Sequence, residues 1–313
     1  MKRTKILVAD TPQNHEKWLA PLRRALHNRE IKADIHIDNS GCTDADYVVY
    51  SPKSGLLDFS PFTNLKGVFS TWAGVESIVG NSTITVPLTR MVDPGLTEGM
   101  VEYCLGHLLR YHLDFDAHTS RDIPNWRPDL LPKLARNRRV GLLGLGALGQ
   151  AVATAATTLR FDVYGWSRRP KSISGITTHS GPNGLDDVLA LAEVLILLLP
   201  HTHQTNDLMD AKRLARLPNG ACIINPGRGA LIVDDALIAA LDSGSIAHAT
   251  LDVFRTEPLP LDNPFWHHPR VTVTPHIAAE TRPETAAEVI AENVRRAIAG
   301  EPLLHLVDRT AGY

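Results

Sequence analysis

Apolar positions along this chain fall into short, often β-branched runs, with stretches of helical spacing between them. The first series covers residues 5–9, 33–37, 47–50, 67–70 and 85–88. That alternation predicts a parallel α/β sheet. A long helical stretch follows, from about Thr97 as N-cap to about His118, broken after Ile123-Pro124, and it is placed to connect two domains. A second series then runs through residues 139–143, 161–164, 194–199, 221–225, 248–253 and 271–274. With helix-like segments between most of its members, it describes a second, complete doubly wound sheet. The helix between the fourth and fifth runs is well marked, with Asp234 as N-cap, 236–241 as body and Gly244 beyond its end. Residues 283–299 form a last amphipathic helix with no strand after it, so the chain is expected to leave the first domain near residue 97 and return to it near residue 283.

Composition narrows the function classes. Lys plus Arg (32) against Asp plus Glu (34) gives a net charge of -2, so no overall basic field exists to hold nucleic acid or anionic lipid. At 43% hydrophobic and 21% charged, the chain is not disordered as a whole. The apolar run 6–9 is too short for a signal peptide. The longest aliphatic run, 194–199, is far below the roughly 18 residues that span a bilayer. Cys42, Cys104 and Cys222 have no CxxC or zinc-ribbon spacing and read as reduced thiols. A cytoplasmic protein with no membrane or nucleic-acid partner is expected.

Gly144-Leu145-Gly146-Ala147-Leu148-Gly149 matches G-x-G-x-x-G. Alone the pattern is weak, and a tight turn without ligand is its bland reading. Here an apolar strand precedes it and a helix-forming segment follows, which presents backbone N–H groups to a pyrophosphate. An NAD site usually carries an acid at the end of the next strand for the ribose 2′-hydroxyl. This chain has Trp166-Ser167-Arg168-Arg169-Pro170-Lys171, and Asp162 lies at the wrong end of the strand. A guanidinium there suits a 2′-phosphate, so NADP is expected, with NAD possible at lower preference. The alternative is a solvated basic loop.

Three further segments lie near carboxyl ends of expected strands, where open α/β sheets place ligands. They are Asn225-Pro226-Gly227-Arg228-Gly229, Asp252 through Glu257 to Leu259, and Thr274-Pro275-His276. A fixed cation, a carboxylate and an imidazole suffice to reduce a carbonyl beside a carboxylate. Arg228 could hold the keto acid and polarise its carbonyl, His276 could donate the proton, and Glu257 would orient the imidazole and stabilise its charged form. Singly, each also reads as a surface salt bridge or a core-edge side chain. No G-x-S-x-G elbow supports a hydrolase. The pairs His201/His203 and His267/His268 lack a third ligand, so no metal site is expected. A non-catalytic dinucleotide-sensing protein stays as an alternative from another class.

Taken in order, the glycine turn, Asn-Pro-Gly-Arg-Gly, Leu251-Asp252-Val253-Phe254 with Glu257-Pro258-Leu259, and Thr274-Pro275-His276 resemble the D-isomer-specific 2-hydroxyacid dehydrogenases. The Trp-Ser-Arg segment, the stretch from His276 to Pro283 and the ending Val307 to Tyr313 resemble the glyoxylate/hydroxypyruvate reductase A type within that family. The resemblance implies Arg228, Glu257 and His276 as catalytic trio. It implies a cofactor set of Gly144, Gly146, Ala147, Leu148, Ser167, Arg168, Arg169, Pro200, Asn225, Pro226 and Asp252, the last touching the nicotinamide carboxamide. Substrate, a small 2-keto acid such as glyoxylate or hydroxypyruvate, would meet Tyr50, Arg228, His276 and the N–H groups around Ala73 and Gly74. Another specificity within the family is the alternative. Pro226-Gly227, Glu76 and Trp72 depart from the commoner family pattern. The fold expected is α/β with two doubly wound parallel-sheet domains: a Rossmann dinucleotide-binding domain (97–282) inserted into a discontinuous flavodoxin-like substrate domain (1–96 and 283–313). A homodimer is expected through the stretch from Thr97 to about Arg127, whose apolar positions Met100, Val101, Cys104, Leu105, Leu108 and Leu109 exceed what one domain requires. Trp126 would then reach the neighbour's substrate cleft.

Overall fold

A computed structural model describes residues 3–37, 42–119 and 128–312. In chain order the elements are β1 (Thr4–Ala9), α1 (Pro12–His27), β2 (Ala33–His36), β3 (Tyr47–Tyr50), β4 (Gly67–Ser70), β5 (Leu88–Thr89), α2 (Pro94–His112), α3 (Phe115–Thr119), β6 (Arg139–Leu143), α4 (Ala147–Thr158), β7 (Asp162–Ser167), β8 (Thr177–Ser180), α5 (Gly181–Leu191), β9 (Val194–Leu197), α6 (Ala211–Leu214), β10 (Ala221–Asn225), α7 (Asp234–Ser243), β11 (Ile246–Leu251), β12 (Val271–Val273) and α8 (Pro283–Ala299). They fall into two compact units, residues 1–96 with 280–313, and residues 97–279.

Unit 1 carries a five-stranded parallel sheet in the order β2-β1-β3-β4-β5, the flavodoxin-like order. Its central strands are apolar on both faces, and every residue of β3 and β4 is buried. That is the signature of a sheet covered on both sides. α1 and α8 pack together on one face with Trp18, Leu22, Ala286, Ile290 and Val294 in a shared core. Asn293, buried on α8, receives the Leu304 N–H at 2.7 Å and donates to its carbonyl, which ties down the segment beyond the helix.

Unit 2 carries a seven-stranded parallel sheet, β12-β11-β10-β9-β6-β7-β8. Read from β8 it is the 3-2-1-4-5-6 order of dinucleotide-binding sheets with one strand added, and the order reverses between β6 and β9. β8, missed by the sequence pattern, is Thr-Thr-His-Ser at the sheet edge, where polar residues are tolerated and leave no apolar run. The expected run 85–88 shrinks to Leu88–Thr89, with the Pro87 carbonyl only accepting from the Val68 N–H. α2 begins at Pro94 rather than Thr97, since proline suits a first helical turn. It ends at His112, where Asp114 turns left-handed (φ 52°), and α3 resumes at Phe115. Asp234 is the first helical residue of α7, and Val233 takes the cap position.

Along α2, Met100, Cys104 and Leu108 are buried against β6, α4 and β9 in unit 2's own core. Val101, Leu105 and Leu109 are half-buried and pack against the same core, so much of the apolar surplus expected to mark an interface is used internally. Trp126 and its neighbours lie outside the described residues. No helix among the described residues is long and apolar enough to cross a membrane.

Candidate active site

The β6–α4 turn is shaped by absent side chains. Gly144 has φ +107°, and a Cβ there would meet the Leu198 carbonyl oxygen at 2.5 Å. A Cβ on Gly149 would lie 1.8 Å from the Gly144 carbonyl oxygen, so only glycine allows helix and strand to approach this closely. At Gly146 the space is open. α4 starts there with neither a capping side chain nor an acid in its first turn. Ala147 and Leu148 thus open a helix whose N–H groups await an acceptor, and a pyrophosphate fits that opening. The Leu145 carbonyl receives the Gln150 side-chain amide at 2.9 Å and the Lys171 ammonium.

At the end of β7, the Ser167 hydroxyl donates to the Arg169 carbonyl at 2.7 Å and folds the basic loop back on itself, with Arg168 and Arg169 exposed. Asp162, at the start of that strand, accepts from the Tyr164 hydroxyl at 2.9 Å and takes no part in the loop. The residues present suit a dinucleotide carrying a 2′-phosphate. Pro200, after β9, accepts through its carbonyl from the Thr205 hydroxyl at 2.6 Å.

Beyond the switch point, strand ends bring three charged groups to one edge. After β10, buried Asn225 bridges its own turn, receiving the Gly227 N–H at 3.1 Å and donating to the Arg228 carbonyl at 3.0 Å. Pro226 and Gly227 are buried. Gly229 follows Arg228 because a Cβ there would fall 2.0 Å from the Phe254 backbone. The next segment is thereby pressed against the arginine turn. Glu257 accepts the Phe254 N–H at 2.8 Å on one oxygen and lies 2.7 Å from His276 Nδ1 on the other. Burial disfavours the Glu257 carboxylate. The bonds from His276 and from Phe254, with the positive charge of His276 and Arg228, outweigh burial and hold the carboxyl below its ordinary value. Occupied by Glu257, Nδ1 carries a proton to donate, which leaves Nε2 as the exchanging nitrogen. The pair is half-exposed, at 42% for His276 and 35% for Glu257. His276 itself adopts φ 57°, a strained conformation for a residue with a Cβ.

Asp252 ties the next segment to the end of β11. Its side chain is fully buried, and it receives the Thr274 hydroxyl at 2.6 Å and the N–H groups of Ile277 and Ala278 at 2.9 Å each. Those bonds direct its carboxylate to the segment around His276.

In unit 1, Tyr50 is a core side chain, 3% exposed and edge-on to Phe59. The N–H groups of Ala73 and Gly74 donate to no acceptor among the described residues, while Trp72 before them is held by Ser70 and Met91. Lys53 sits 5.6 Å over the Trp72 ring. Among the described residues no cluster of three or more His, Cys, Asp or Glu could hold a metal ion.

A family model described as D-isomer specific 2-hydroxyacid dehydrogenase, NAD binding domain, matches residues 104–278. The chain is 41% identical to glyoxylate/hydroxypyruvate reductase A of Serratia proteamaculans (strain 568), across 96% of this chain and 97% of that protein. Among solved structures, a D-isomer specific 2-hydroxyacid dehydrogenase from Xanthobacter autotrophicus Py2 in complex with NADPH and MES superposes with a TM-score of 0.91 at 38% identity, covering both chains completely. An NADPH-dependent glyoxylate/hydroxypyruvate reductase from Sinorhizobium meliloti in complex with NADP and sulfate gives 0.83 at 32% identity, again over the whole of both chains. The chain belongs to the D-isomer-specific 2-hydroxyacid dehydrogenases, a family of NAD(P)-dependent oxidoreductases.

Proposed function

We propose that the protein is an NADPH-dependent reductase of small 2-keto acids, glyoxylate and hydroxypyruvate first among them. The observation that carries this reading is the Glu257–His276 contact at 2.7 Å, on the same sheet edge as Arg228. When bound, the dinucleotide supplies a hydride to the keto carbon. His276 Nε2 delivers the proton that the forming alkoxide takes up, and Glu257 holds the resulting imidazole in register. Arg228 brings a positive charge to the carbonyl oxygen as it gains negative charge. In unit 1, the N–H groups of Ala73 and Gly74, which donate to no acceptor among the described residues, are assigned by the reading to a carboxylate. Arg168 and Arg169 support the 2′-phosphate of NADPH, in keeping with the NADP and NADPH complexes of the relatives. Asn225 and Pro226 are assigned to the cofactor side of the turn that presents Arg228. The reading extends to a cytoplasmic setting, supported by three free cysteines, and to a homodimer through the half-buried positions of α2, which light scattering tests.

A panel of 2-keto acids with NADPH and with NADH, followed by loss of nicotinamide absorbance, tests the proposal. Glyoxylate and hydroxypyruvate should head the panel, with NADPH the better partner. Dinucleotide binding without keto-acid-dependent oxidation would instead favour a sensing protein.

A further inference from the structure

We infer that Tyr103 and Thr274 are positioning residues that set His276 in place through Asp252, an inference that rests on the reductase reading above. The chain of bonds has a fixed direction. Both Asp252 oxygens accept backbone N–H groups, and the Thr274 hydroxyl donates to one of them at 2.6 Å. That uses the only proton of Thr274, so the Tyr103 hydroxyl, 2.7 Å away, donates to Thr274. Burial foremost disfavours ionisation of Tyr103 and keeps that phenol protonated for the task.

Asp252 then holds the segment on both sides of His276. Its side chain receives the Ile277 and Ala278 N–H groups, and its main-chain carbonyl receives the His276 N–H at 2.8 Å. The Thr274 N–H is itself bonded to Leu251, so β11 and its continuation grip residues 274–278 at several points. The residue in the middle is the strained one, at φ 57°. Such a conformation persists only where its surroundings over-determine it. Tyr103 comes from α2 and adds a support from outside the sheet. Tyr103 and Thr274 reach the His276 segment in these bonds through Asp252, so their effect on turnover passes through the placement of the imidazole against Glu257.

The test is steady-state kinetics of glyoxylate reduction with NADPH, over pH, on Tyr103→Phe, Thr274→Val, Thr274→Ser and His276→Ala, with a melting curve for each. Tyr103→Phe should lower kcat about two- to tenfold, the scale of one hydrogen bond, and leave KM for glyoxylate and the Kd for NADPH within about twofold. Thr274→Val should lower kcat about ten- to a hundredfold because Asp252 loses a charge-assisted partner while buried. Thr274→Ser keeps the hydroxyl and should restore kcat to within about threefold of wild type. In Thr274→Val and Tyr103→Phe the limb of kcat/KM that requires protonated His276 should move to lower pH, because a displaced imidazole is less stabilised by Glu257. A general loss of stability would not move that limb. Wild-type kcat and an unmoved limb in Tyr103→Phe and Thr274→Val, with His276→Ala inactive, would overturn the positioning role alone. So would a Thr274→Ser enzyme as impaired as Thr274→Val. Full turnover in His276→Ala would instead remove the reductase mechanism, and the positioning role with it.

Discussion

The two halves of the seven-stranded sheet, meeting between β6 and β9, build their working surfaces by opposite means. On the β6–β7 side the surface is made by what is missing: Gly144 and Gly149 let helix and strand close up, and Gly146 leaves the helix start open. On the β10–β12 side it is made by interlocked polar groups, with Asn225, Asp252 and Glu257 each bonded to backbone as well as positioned near another charged or catalytic residue. A surface of the first kind tolerates no added atom at Gly144 or Gly149. A surface of the second kind fails by degrees, as one bond after another is removed.

The sharpest break of that comparison is expected at Gly149→Ala. Overlap with the Gly144 carbonyl forces the turn open, and dinucleotide binding measured by calorimetry should fall below detection. Gly146→Ala, facing open space, should melt like wild type while still weakening the dinucleotide. Equal binding by both variants and wild type would show that close backbone approach is not what makes this half work.

Next in size, Arg168→Asp should reduce kcat/KM for NADPH by about 1 to 3 kcal/mol, the scale of one charge-assisted bond, and should spare NADH. Equal use of both cofactors by the unmodified protein would remove the basis for this expectation.

A third expectation concerns how the polar half withstands acid. His248 Nε2 lies 3.0 Å from the Thr272 hydroxyl, which receives Arg110, and burial together with the Arg110 charge depresses the imidazole from 6.5 to about 4. Between those values the unfolded chain takes up a proton that the folded protein does not, so stability falls as pH drops from 6.5 towards 4. His107 and His112 are shifted in the same direction, each by burial first. Denaturant melts across that range should show a loss of about 2 kcal/mol attributable to His248, absent in His248→Gln. An unchanged slope in the variant would contradict the assignment.

The smallest change is expected for Glu257→Gln, which keeps a neutral acceptor for Nδ1. kcat should fall about tenfold, and the limb that needs protonated His276 should move to lower pH as the anionic partner is lost. An unmoved limb would take Glu257 out of the proton transfer.

The sequence was most legible where pattern and chemistry coincide in a short stretch. The glycine turn, the missing acid after β7 and the order of Arg228, Glu257 and His276 can all be read from neighbouring residues. The strand-rich core could be read as well, because parallel strands buried on both faces leave continuous apolar runs. β8 could not, since an edge strand of threonines, histidine and serine carries no such run. The packing of Tyr50 on Phe59 was not legible, because a strand-end aromatic reads the same in sequence whether it lines a pocket or packs on a neighbour. Asp252 and Thr274 stood inside a recognisable motif, yet their bond to each other, and the bond to Tyr103, join residues too far apart in sequence for spacing to reveal. Nothing but the folded sheet brings them together.

The measurement that bears most directly on the central claim is kcat for glyoxylate reduction in His276→Ala, taken together with its Kd for NADPH. A general acid supplies roughly a hundredfold or more, so kcat should fall by at least that much while Kd stays within about twofold of wild type. Turnover near the wild-type rate, with NADPH bound normally, would contradict the assignment of His276 as the proton donor.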